Sequence, residues 1–291
     1  MPEEINRYTR LKDLTKFGFD INWESLKDME VIVAGIGGVG SLAAEMLTRC
    51  GIGKLDIIDL DTVSVKNLNR LFFRAKDIGK AKTKVAKKKL LEINPDVKIE
   101  EHSIDICSPD FEQEFKLMLK RANLLLMGLD NIPARDYVNT MCISHNLTYI
   151  DSGASRSGLG GYVHRIIPYK TACSRCPGTL EVGKQMADAE GEPCTASLPT
   201  TIALIASLQV EHALKTLLDN FGKIPDYISY NGLQGQFLYL QITMDPDCPV
   251  CGEEARKSRE KQAEDVIPIK EIDPEIIDIV KDMKKIAKKN D

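Results

Sequence analysis

A glycine-rich loop stands where a short apolar strand gives way to a helix. The run GIGGVG occupies residues 35–40 and contains Gly35, Gly37, Gly38 and Gly40. Backbone N–H groups in such a loop can approach a phosphate closely, and the helix N-terminus that follows favours its negative charge. The loop therefore predicts a nucleotide site. By itself it leaves NAD, ATP and simple helix–strand packing open.

Two acids follow at the end of the next apolar segment, LDIIDLD. Asp59 stands 19 residues after Gly40, and Asp61 comes two residues later. An acid at the end of the second strand can accept hydrogen bonds from the hydroxyls of a ribose. Both acids are thus candidate nucleotide ligands, although a dinucleotide oxidoreductase predicts the same arrangement.

Cations and an amide downstream favour a triphosphate. Asn67 and Arg70 lie in KNLNRLFF, and Lys82 lies in GKAKTKV. Two fixed cations suit β- and γ-phosphates, because arginine can bind them bidentately and lysine acts as a point charge. The run from Lys76 to Lys89 holds seven lysines. We interpret most of them as a solvated helix face and single out Lys82, which directly follows the loop.

The segment GLDN, residues 128–131, closes a buried apolar strand. Asp130 is therefore expected at the carboxyl edge of the sheet, which is where open α/β sheets bind their ligands. A carboxylate at that edge could hold Mg²⁺ against phosphate oxygens. Asp130 is the candidate magnesium ligand.

Two C-x-x-C pairs, CSRC and CPVC, supply four further thiols. They place Cys173 with Cys176 and Cys248 with Cys251. Each pair presents two thiolates on a tight turn, and together the pairs predict a tetrahedral zinc site. Four thiolates fill the coordination shell, so the zinc is expected to be structural. A dithiol redox role is the alternative, for which one pair would suffice.

One of the remaining cysteines stands apart from the others. Cys50 and Cys142 lie on apolar helix patterns typical of core residues, and Cys107 precedes a helix start. Cys194, in GEPCTASLPTT, lies in a loop just before a long apolar helix, where thiolate formation is favoured. Local chemistry leaves Cys194 open as buried filler, metal ligand or nucleophile.

The elements that must position these groups alternate along the chain. Short apolar strands and helices follow one another up to residue 152, which predicts a Rossmann-like, doubly wound, mainly parallel sheet. Beyond it, residues 160–168 and 227–243 have the pattern of antiparallel strands, with one strong helix over 200–218 between them. The predicted fold class is α/β, with a C-terminal antiparallel portion and a structural zinc site.

Three parts are expected along the chain. Residues 1–29 form a charged, helical N-terminal lead, 30–252 the main domain, and 253–291 a charged tail. Within the tail, Asp273 and Pro274 can begin a helix that carries an apolar stripe. Such a stripe suggests docking, either onto this domain or onto a partner.

Composition narrows the class of protein. The chain has 291 residues, of which 43% are apolar, and a formal net charge of −4. That charge argues against a general nucleic-acid binder. The sequence has no signal-peptide pattern and no apolar run of membrane length, so we expect no membrane partner and a cytoplasmic, reducing setting. Eight cysteines in such a setting indicate metal ligands, a reactive thiol or core residues before disulfides.

As a set, these motifs resemble the E1-like superfamily, which includes the sulfur-carrier adenylyltransferases and the activating enzymes of ubiquitin-like modifiers. The similarity rests on GIGGVG, DLD, NRLFF, GLDN and the paired C-x-x-C motifs, and it runs from about Arg7 to Cys251. Within the superfamily, AEMLTRCGIGKL, INPDV and ASLPTT are most similar to the small homodimeric E1 enzymes of the ufmylation pathway.

The resemblance implies a two-step reaction. ATP adenylates the C-terminal glycine of a ubiquitin-like modifier, a thioester then forms on a cysteine that maps onto Cys194, and the modifier passes to an E2-like carrier. The implied roles are phosphate contact for Gly38, ribose contact for Asp59, polyphosphate contact for Arg70 and Lys82 with Asn67 beside them, Mg²⁺ binding for Asp130, proximity to the nucleotide for Asn131, and zinc binding for Cys173, Cys176, Cys248 and Cys251.

The resemblance also implies a homodimer, because family members send a basic residue from the lead of one subunit into the ATP site of the other. One family pattern places this residue at Arg10, and another places it on or beside Lys16. An asparagine near the nucleotide in the ufmylation enzymes aligns with Asp105, so that contact differs here. Residues 177–199 are expected to form a mobile crossover loop that brings Cys194 to the adenylate.

Three alternatives to a thioester-forming E1 stay open at this point. A sulfur-carrier adenylyltransferase would adenylate its substrate without an obligatory thioester. A nicotinamide-dependent oxidoreductase would explain the glycine loop and Asp59, but not the two cations, Asp130 and the zinc pairs as a set. A non-catalytic E1-like subunit would be expected to lack part of the nucleotide constellation.

Overall fold

Across residues 5–155, 157–179, 198–218 and 225–264, which the computed structural model describes, eight strands form one sheet. The strands are β1 (Glu30–Ala34), β2 (Lys54–Ile58), β3 (Lys98–His102), β4 (Leu124–Met127), β5 (Tyr149–Ala154), β6 (Gly160–Ile166), β7 (Tyr227–Asn231) and β8 (Gln236–Leu240). Their order across the sheet is β3-β2-β1-β4-β5-β6-β7-β8.

The pairing confirms the predicted fold class. Strands β3, β2, β1, β4 and β5 are parallel neighbours, and β6, β7 and β8 continue the sheet with antiparallel pairs. From β1 the chain builds outward through β2 and β3, and then returns to place β4 on the other side of β1. That reversal creates a crevice at the carboxyl ends of β1 and β4, which is the usual ligand position in open α/β sheets.

Helices cover both faces of the sheet. They are α1 (Thr9–Lys12), α2 (Gly38–Cys50), α3 (Lys82–Ile93), α4 (Pro109–Arg121), α5 (Ile132–Ser144), α6 (Pro199–Leu217) and α7 (Glu253–Glu264). Alternate side chains of β1 point to opposite faces. Val31 and Val33 enter a core with α2, α3 and α6, while Ile32 and Ala34 enter a second core with α4 and α5. The central strand is therefore apolar throughout because both of its faces are buried.

Two boundaries differ from the sequence-based expectation. The second strand was expected to reach residue 61 but ends at Ile58, because the Asp59 carboxylate accepts a hydrogen bond from the Asp61 N–H at 2.8 Å and turns the chain. The N-terminal lead is not one helix. It consists of α1 followed by 3₁₀ turns over Asp13–Phe17 and Trp23–Asp28, and Gly18 with a φ of 85° ends the first of these turns.

Several sequence-based expectations fall outside the described residues. Cys194, most of the expected crossover loop over 177–199 and the apolar stripe of the tail lie there. The division into lead, main domain and tail stays a prediction. Among the described helices, none combines the length and apolar character needed to cross a membrane.

Candidate active site

The glycine loop joins β1 to α2 in a space that admits no side chain at two positions. Gly35 has a φ of 92°, and a Cβ there would lie 2.7 Å from the carbonyl oxygen of Gly128. A Cβ on Gly40 would overlap the carbonyl oxygen of Gly35. The loop therefore packs backbone to backbone against the segment that follows β4. This close packing brings GIGGVG and GLDN to the same crevice.

Asp59 braces the loop from the neighbouring strand β2. Its Oδ2 accepts a hydrogen bond from the Ile36 N–H at 2.7 Å, and its Oδ1 accepts the bond from Asp61. Burial raises the pKa of Asp59, and the charge of Lys82 and these two N–H donors oppose the rise. Each carboxylate oxygen can still accept another hydrogen bond, so a ribose hydroxyl is compatible with this arrangement.

Lys82 meets both acids at the first residue of α3. Its Nζ lies 2.7 Å from Asp61 Oδ2 and 3.5 Å from Asp59 Oδ1, and the residue is 5% exposed. The Lys82 N–H also donates to the Asp61 carbonyl at 3.0 Å. Three residues expected at the nucleotide site thus form one ionic cluster beside the glycine loop.

The Arg70 side chain lies against the glycine loop. A Cβ on Gly38 would lie 3.3 Å from Arg70 Cδ, and a Cβ on Gly37 would lie 3.6 Å from Arg70 Nη1. The Arg70 Nε is buried and has no hydrogen-bond partner among the described residues. A buried guanidinium nitrogen left without an acceptor is costly. An anionic ligand at the loop would satisfy it, so the residues present fit a bound polyphosphate.

Asn67 organises the segment that carries Arg70. The Asn67 Oδ1 accepts hydrogen bonds from Ser64 N at 2.8 Å and Ser64 Oγ at 3.1 Å, and the Asn67 carbonyl accepts from the Arg70 N–H at 3.1 Å. These bonds cap a 3₁₀ turn over Val65–Asn67. The side-chain oxygen of Asn67, a candidate nucleotide ligand, is therefore already used in hydrogen bonds that cap this turn.

Asp130 and Asn131 have different surroundings at the carboxyl end of β4. Both residues are exposed. Asn131 is the N-cap of α5, and its Oδ1 accepts from the Ala134 N–H at 2.8 Å. Asp130, one residue earlier, presents an exposed carboxylate beside the crevice. A hard cation prefers oxygen ligands of this kind, so Asp130 fits Mg²⁺ better than Asn131 does.

A buried polar network behind Asp130 was missed at the sequence level. Arg135, in the first turn of α5, pairs with Asp151 and donates to Tyr162 Oη at 2.7 Å and to the Ser152 carbonyl at 2.9 Å. Burial raises the pKa of Asp151, and the Arg135 charge opposes the rise. The network ties the start of α5 to β5 and β6. An available signal was the acid that ends the apolar strand LTYID, because a buried carboxylate needs a partner.

The four C-x-x-C thiols come together on the α5 side of the sheet. The Sγ atoms of Cys173, Cys176, Cys248 and Cys251 all lie within 4.8 Å of one another, and all four residues are buried. A hydrogen bond from Cys173, followed by one from Cys251, lowers the pKa of Cys176. Four converging soft ligands of this kind could hold a zinc ion.

Helix α5 also supports this thiol cluster. Arg175, inside CSRC, forms a two-pronged ion pair with Asp136. The Ser174 N–H donates to the buried Asn139 Oδ1 at 3.3 Å. The helix that begins beside Asp130 therefore packs its second and third turns against the cysteine turn.

The basic residues expected to act in trans lie in the lead. Arg10 is 95% exposed at its side chain and approaches Asp13 at 4.0 Å, and Lys16 also forms an ion pair with Asp13. Asp105, in the loop after β3, accepts a hydrogen bond from the Cys107 N–H at 2.9 Å. The Cys107 thiol is half-buried, and burial raises its pKa.

Residues 8–250 match the sequence model of the ThiF family. The chain belongs to the ThiF family. The match includes the glycine loop, the ionic cluster, the GLDN segment and three of the four clustered cysteines. Because residue 250 ends the match, Cys251 lies just beyond it.

Two curated relatives share the same name. The chain is 40% identical over 257 residues to "Ubiquitin-like modifier-activating enzyme 5" of Dictyostelium discoideum, covering 84% of this chain and 67% of the relative. It is also 40% identical over 263 residues to the protein of that name in Oryza sativa subsp. japonica, covering 85% and 62%. The chain spans between 60% and 67% of the length of these relatives and of the Arabidopsis thaliana protein of that name.

Solved structures of E. coli MccB have a similar fold. A crystal structure of MccB with ATP superposes with a TM-score of 0.70 at 24% identity, covering 86% of this chain and 75% of MccB. Another, with succinimide, gives a TM-score of 0.72 at 24% identity. These likenesses concern the fold, and they agree with the eight-stranded sheet described above.

Proposed function

We propose that this chain is an E1-like activating enzyme, which adenylates the C-terminal glycine of a ubiquitin-like modifier at the expense of ATP. The observation that carries the proposal is the Arg70 Nε, which is buried and has no acceptor among the described residues, on a side chain that lies against the glycine loop at the N-terminus of α2. The identity to relatives named for modifier activation supports the choice of substrate. A nicotinamide-dependent oxidoreductase gives no reason for a second cation, the half-buried Arg70, beside the glycine loop.

In the first step, the modifier carboxylate attacks the α-phosphate of ATP and pyrophosphate leaves. Arg70 and Lys82 stabilise the negative charge of the polyphosphate, because fixed cations beside a helix N-terminus favour it. The glycine backbone admits the phosphates, and Asp59 orients the ribose. Mg²⁺, bound by Asp130, would supply charge neutralisation on the phosphate oxygens.

In the second step, the thiolate of Cys194 attacks the acyl carbon of the adenylate. A thioester forms, AMP leaves, and the modifier then passes to the thiol of an E2-like carrier. Cys194 lies outside the described residues, and this role rests on the resemblance of PCTASLPTT to the ufmylation enzymes. Asn67 would act indirectly, by holding the backbone of the segment that carries Arg70. Asn131 would also act indirectly, by capping the N-terminus of α5.

The test of the first step is exchange of labelled pyrophosphate into ATP. The assay contains the protein, Mg²⁺ and a recombinant ubiquitin-like modifier of the ufmylation pathway that ends in glycine. We expect exchange that requires both the modifier and Mg²⁺. We expect Lys82→Met to slow exchange on the order of a hundredfold, as does loss of one preorganised charge-stabilising group in other sites. Binding of NADH without binding of ATP, measured by titration, would contradict the proposal.

A homodimer is part of the proposed enzyme. Each subunit would send a basic side chain of the lead, Arg10 or Lys16, into the ATP site of its partner. The high exposure of Arg10 within a single chain supports this assignment. Light scattering at micromolar concentration is expected to give twice the mass of the chain. A monomeric mass under conditions of full activity would exclude the shared site.

Zinc bound by the four clustered cysteines and a cytoplasmic location complete the proposal. The zinc would be structural, since four thiolates leave no open position for a substrate. A reducing compartment would keep these thiols and Cys194 available. The tail over 253–291 remains assigned to partner docking as a prediction from its sequence.

A further inference from the structure

Lys89 is the one lysine in the run over 76–89 whose described contacts lead to the segment that carries Arg70. Its Nζ donates to the Phe72 carbonyl at 2.8 Å and to Asp77 Oδ2 at 2.6 Å. The same Nζ lies 5.2 Å from the ring centroid of Phe72 and 5.7 Å from that of Phe73. The sequence-based interpretation of a solvated helix face is therefore wrong for this residue.

Asp77 is the carboxylate that pairs with the Lys89 ammonium group. It is 4% exposed, and its Oδ2 also accepts from the Arg74 N–H at 2.9 Å. Burial alone would raise the pKa of Asp77, but the hydrogen bond from Lys89 and the one from Arg74 outweigh it and lower the pKa. The Asp77 carboxylate therefore stays ionised at neutral pH. A buried carboxylate of this kind would be costly without Lys89.

These contacts close the C-terminal end of the segment over 68–74, which we call the arginine segment. Its N-terminal end is held by the bond from the Arg70 N–H to the Asn67 carbonyl. Its middle is anchored by the buried rings of Phe72 and Phe73. Lys89 bonds the carbonyl only two residues after Arg70 at 2.8 Å, and the other donor to that carbonyl, Arg74 Nη1, lies farther away at 3.4 Å. Loss of Lys89 therefore leaves this carbonyl with only a weak hydrogen bond.

We propose that Lys89 is a positioning residue, which holds the arginine segment so that Arg70 lies over the glycine loop. The inference rests on the ATP-binding role proposed for Arg70. Lys89 does not touch the nucleotide site itself. It acts through the Phe72 carbonyl and Asp77, and its effect on ATP should therefore pass entirely through Arg70.

The primary test compares Lys89→Met with Lys88→Met by calorimetric titration of ATP in the presence of Mg²⁺. Methionine keeps the apolar stem beside the two rings but removes the ammonium group. Lys88 is exposed on the same helix, so it controls for loss of one positive charge. We expect Lys89→Met to weaken ATP binding about tenfold, in keeping with the cost of a misplaced ligand group. Lys88→Met should change binding less than about twofold, since exposed charges contribute little.

A double-mutant cycle separates positioning from general destabilisation. If Lys89 acts through Arg70, Lys89→Met should add nothing to the weakening already produced by Arg70→Ala. Asp77→Asn should behave like Lys89→Met, because it keeps an acceptor for the Arg74 N–H but loses the charge. An equal, multiplicative effect of Lys89→Met in both backgrounds would overturn the inference.

The outcomes also separate this inference from the proposed function. If Arg70→Ala weakens ATP binding while Lys89→Met and Asp77→Asn leave it at the wild-type value, the positioning role fails and the function stands. If Arg70→Ala itself leaves ATP binding unchanged, both fail. Thermal unfolding of each variant, measured beside Lys88→Met, identifies any variant whose loss of binding reflects unfolding. For such a variant, the Asp77→Asn result decides.

Discussion

Cys194→Ala is expected to abolish the reducer-sensitive adduct between this protein and its modifier, while pyrophosphate exchange stays within about twofold of wild type. Adenylation needs the phosphate site but no thiol, whereas the thioester needs a thiolate as nucleophile. The measurement is a non-reducing gel of the protein with modifier, ATP and Mg²⁺, with and without a thiol reductant. The two assays thus report separately on the two proposed steps.

Cys107→Ala is the matched control for this prediction. Its thiol is half-buried with a raised pKa, which disfavours the reactive thiolate, so the adduct should persist in this variant. If the adduct still forms in Cys194→Ala, a residue other than Cys194 is the nucleophile. A wild-type protein that exchanges pyrophosphate but forms no adduct would favour a sulfur-carrier adenylyltransferase instead.

The second large effect is expected from the cysteine cluster. Cys176→Ser should remove bound zinc and lower the free energy of unfolding by more than about 4 kcal/mol, since loss of a metal belongs to the most destabilising classes of substitution. Structural zinc sites contribute directly to folding because the unfolded chain does not hold the metal in place. Metal content by mass spectrometry and unfolding in urea are the measurements.

Cys142→Ser provides a control of the same residue type and burial. Cys142 is fully buried in the core of α5 and lies outside the four-thiol cluster. Its substitution should cost about 1–3 kcal/mol for burying a hydroxyl and should leave the zinc content unchanged. Equal losses of stability in the two variants, with no zinc in the wild-type protein, would contradict a structural zinc site.

The zinc prediction also bears on the nucleotide site, because α5 connects the two. The helix begins beside Asp130 and contacts the cysteine turn through Asp136 and Asn139. Loss of the metal would remove the support on which its second and third turns pack. A buried hydrogen bond such as that of Asn139 stabilises a fold only while its partner is held in place.

Much of the fold could be predicted because the sheet is buried on both faces. In apolar segments such as EVIVA and ANLLLM, both faces of the strand must be buried away from water. Their order and spacing along the chain therefore indicate parallel strands between helices. Boundaries were less predictable. The end of β2 depends on a side chain of Asp59 that bonds the backbone two residues on, and this competes with strand pairing.

The candidate site also has some features that the sequence predicts and others that only the structure shows. Residue type and short spacing are enough to recognise the glycine loop, the acids and the paired cysteines, so these motifs could be found without coordinates. The role of Asn67 as a cap, the Arg135–Asp151 pair and the contact of Lys89 could not. Each depends on which side chains meet across distant segments, and residue type alone does not distinguish Lys89 from Lys88.

By itself, the sequence determined the class of fold, the family resemblance and the residue types of the candidate binding groups. Only the tertiary structure decided which groups meet. It brings thiols that are 75 residues apart into one cluster, aligns the carboxyl ends of β1 and β4, and leaves the Arg70 Nε buried with no acceptor in the part of the chain that it describes. The physical reason is that strand pairing and burial fix long-range neighbours, whereas sequence patterns carry mainly local information.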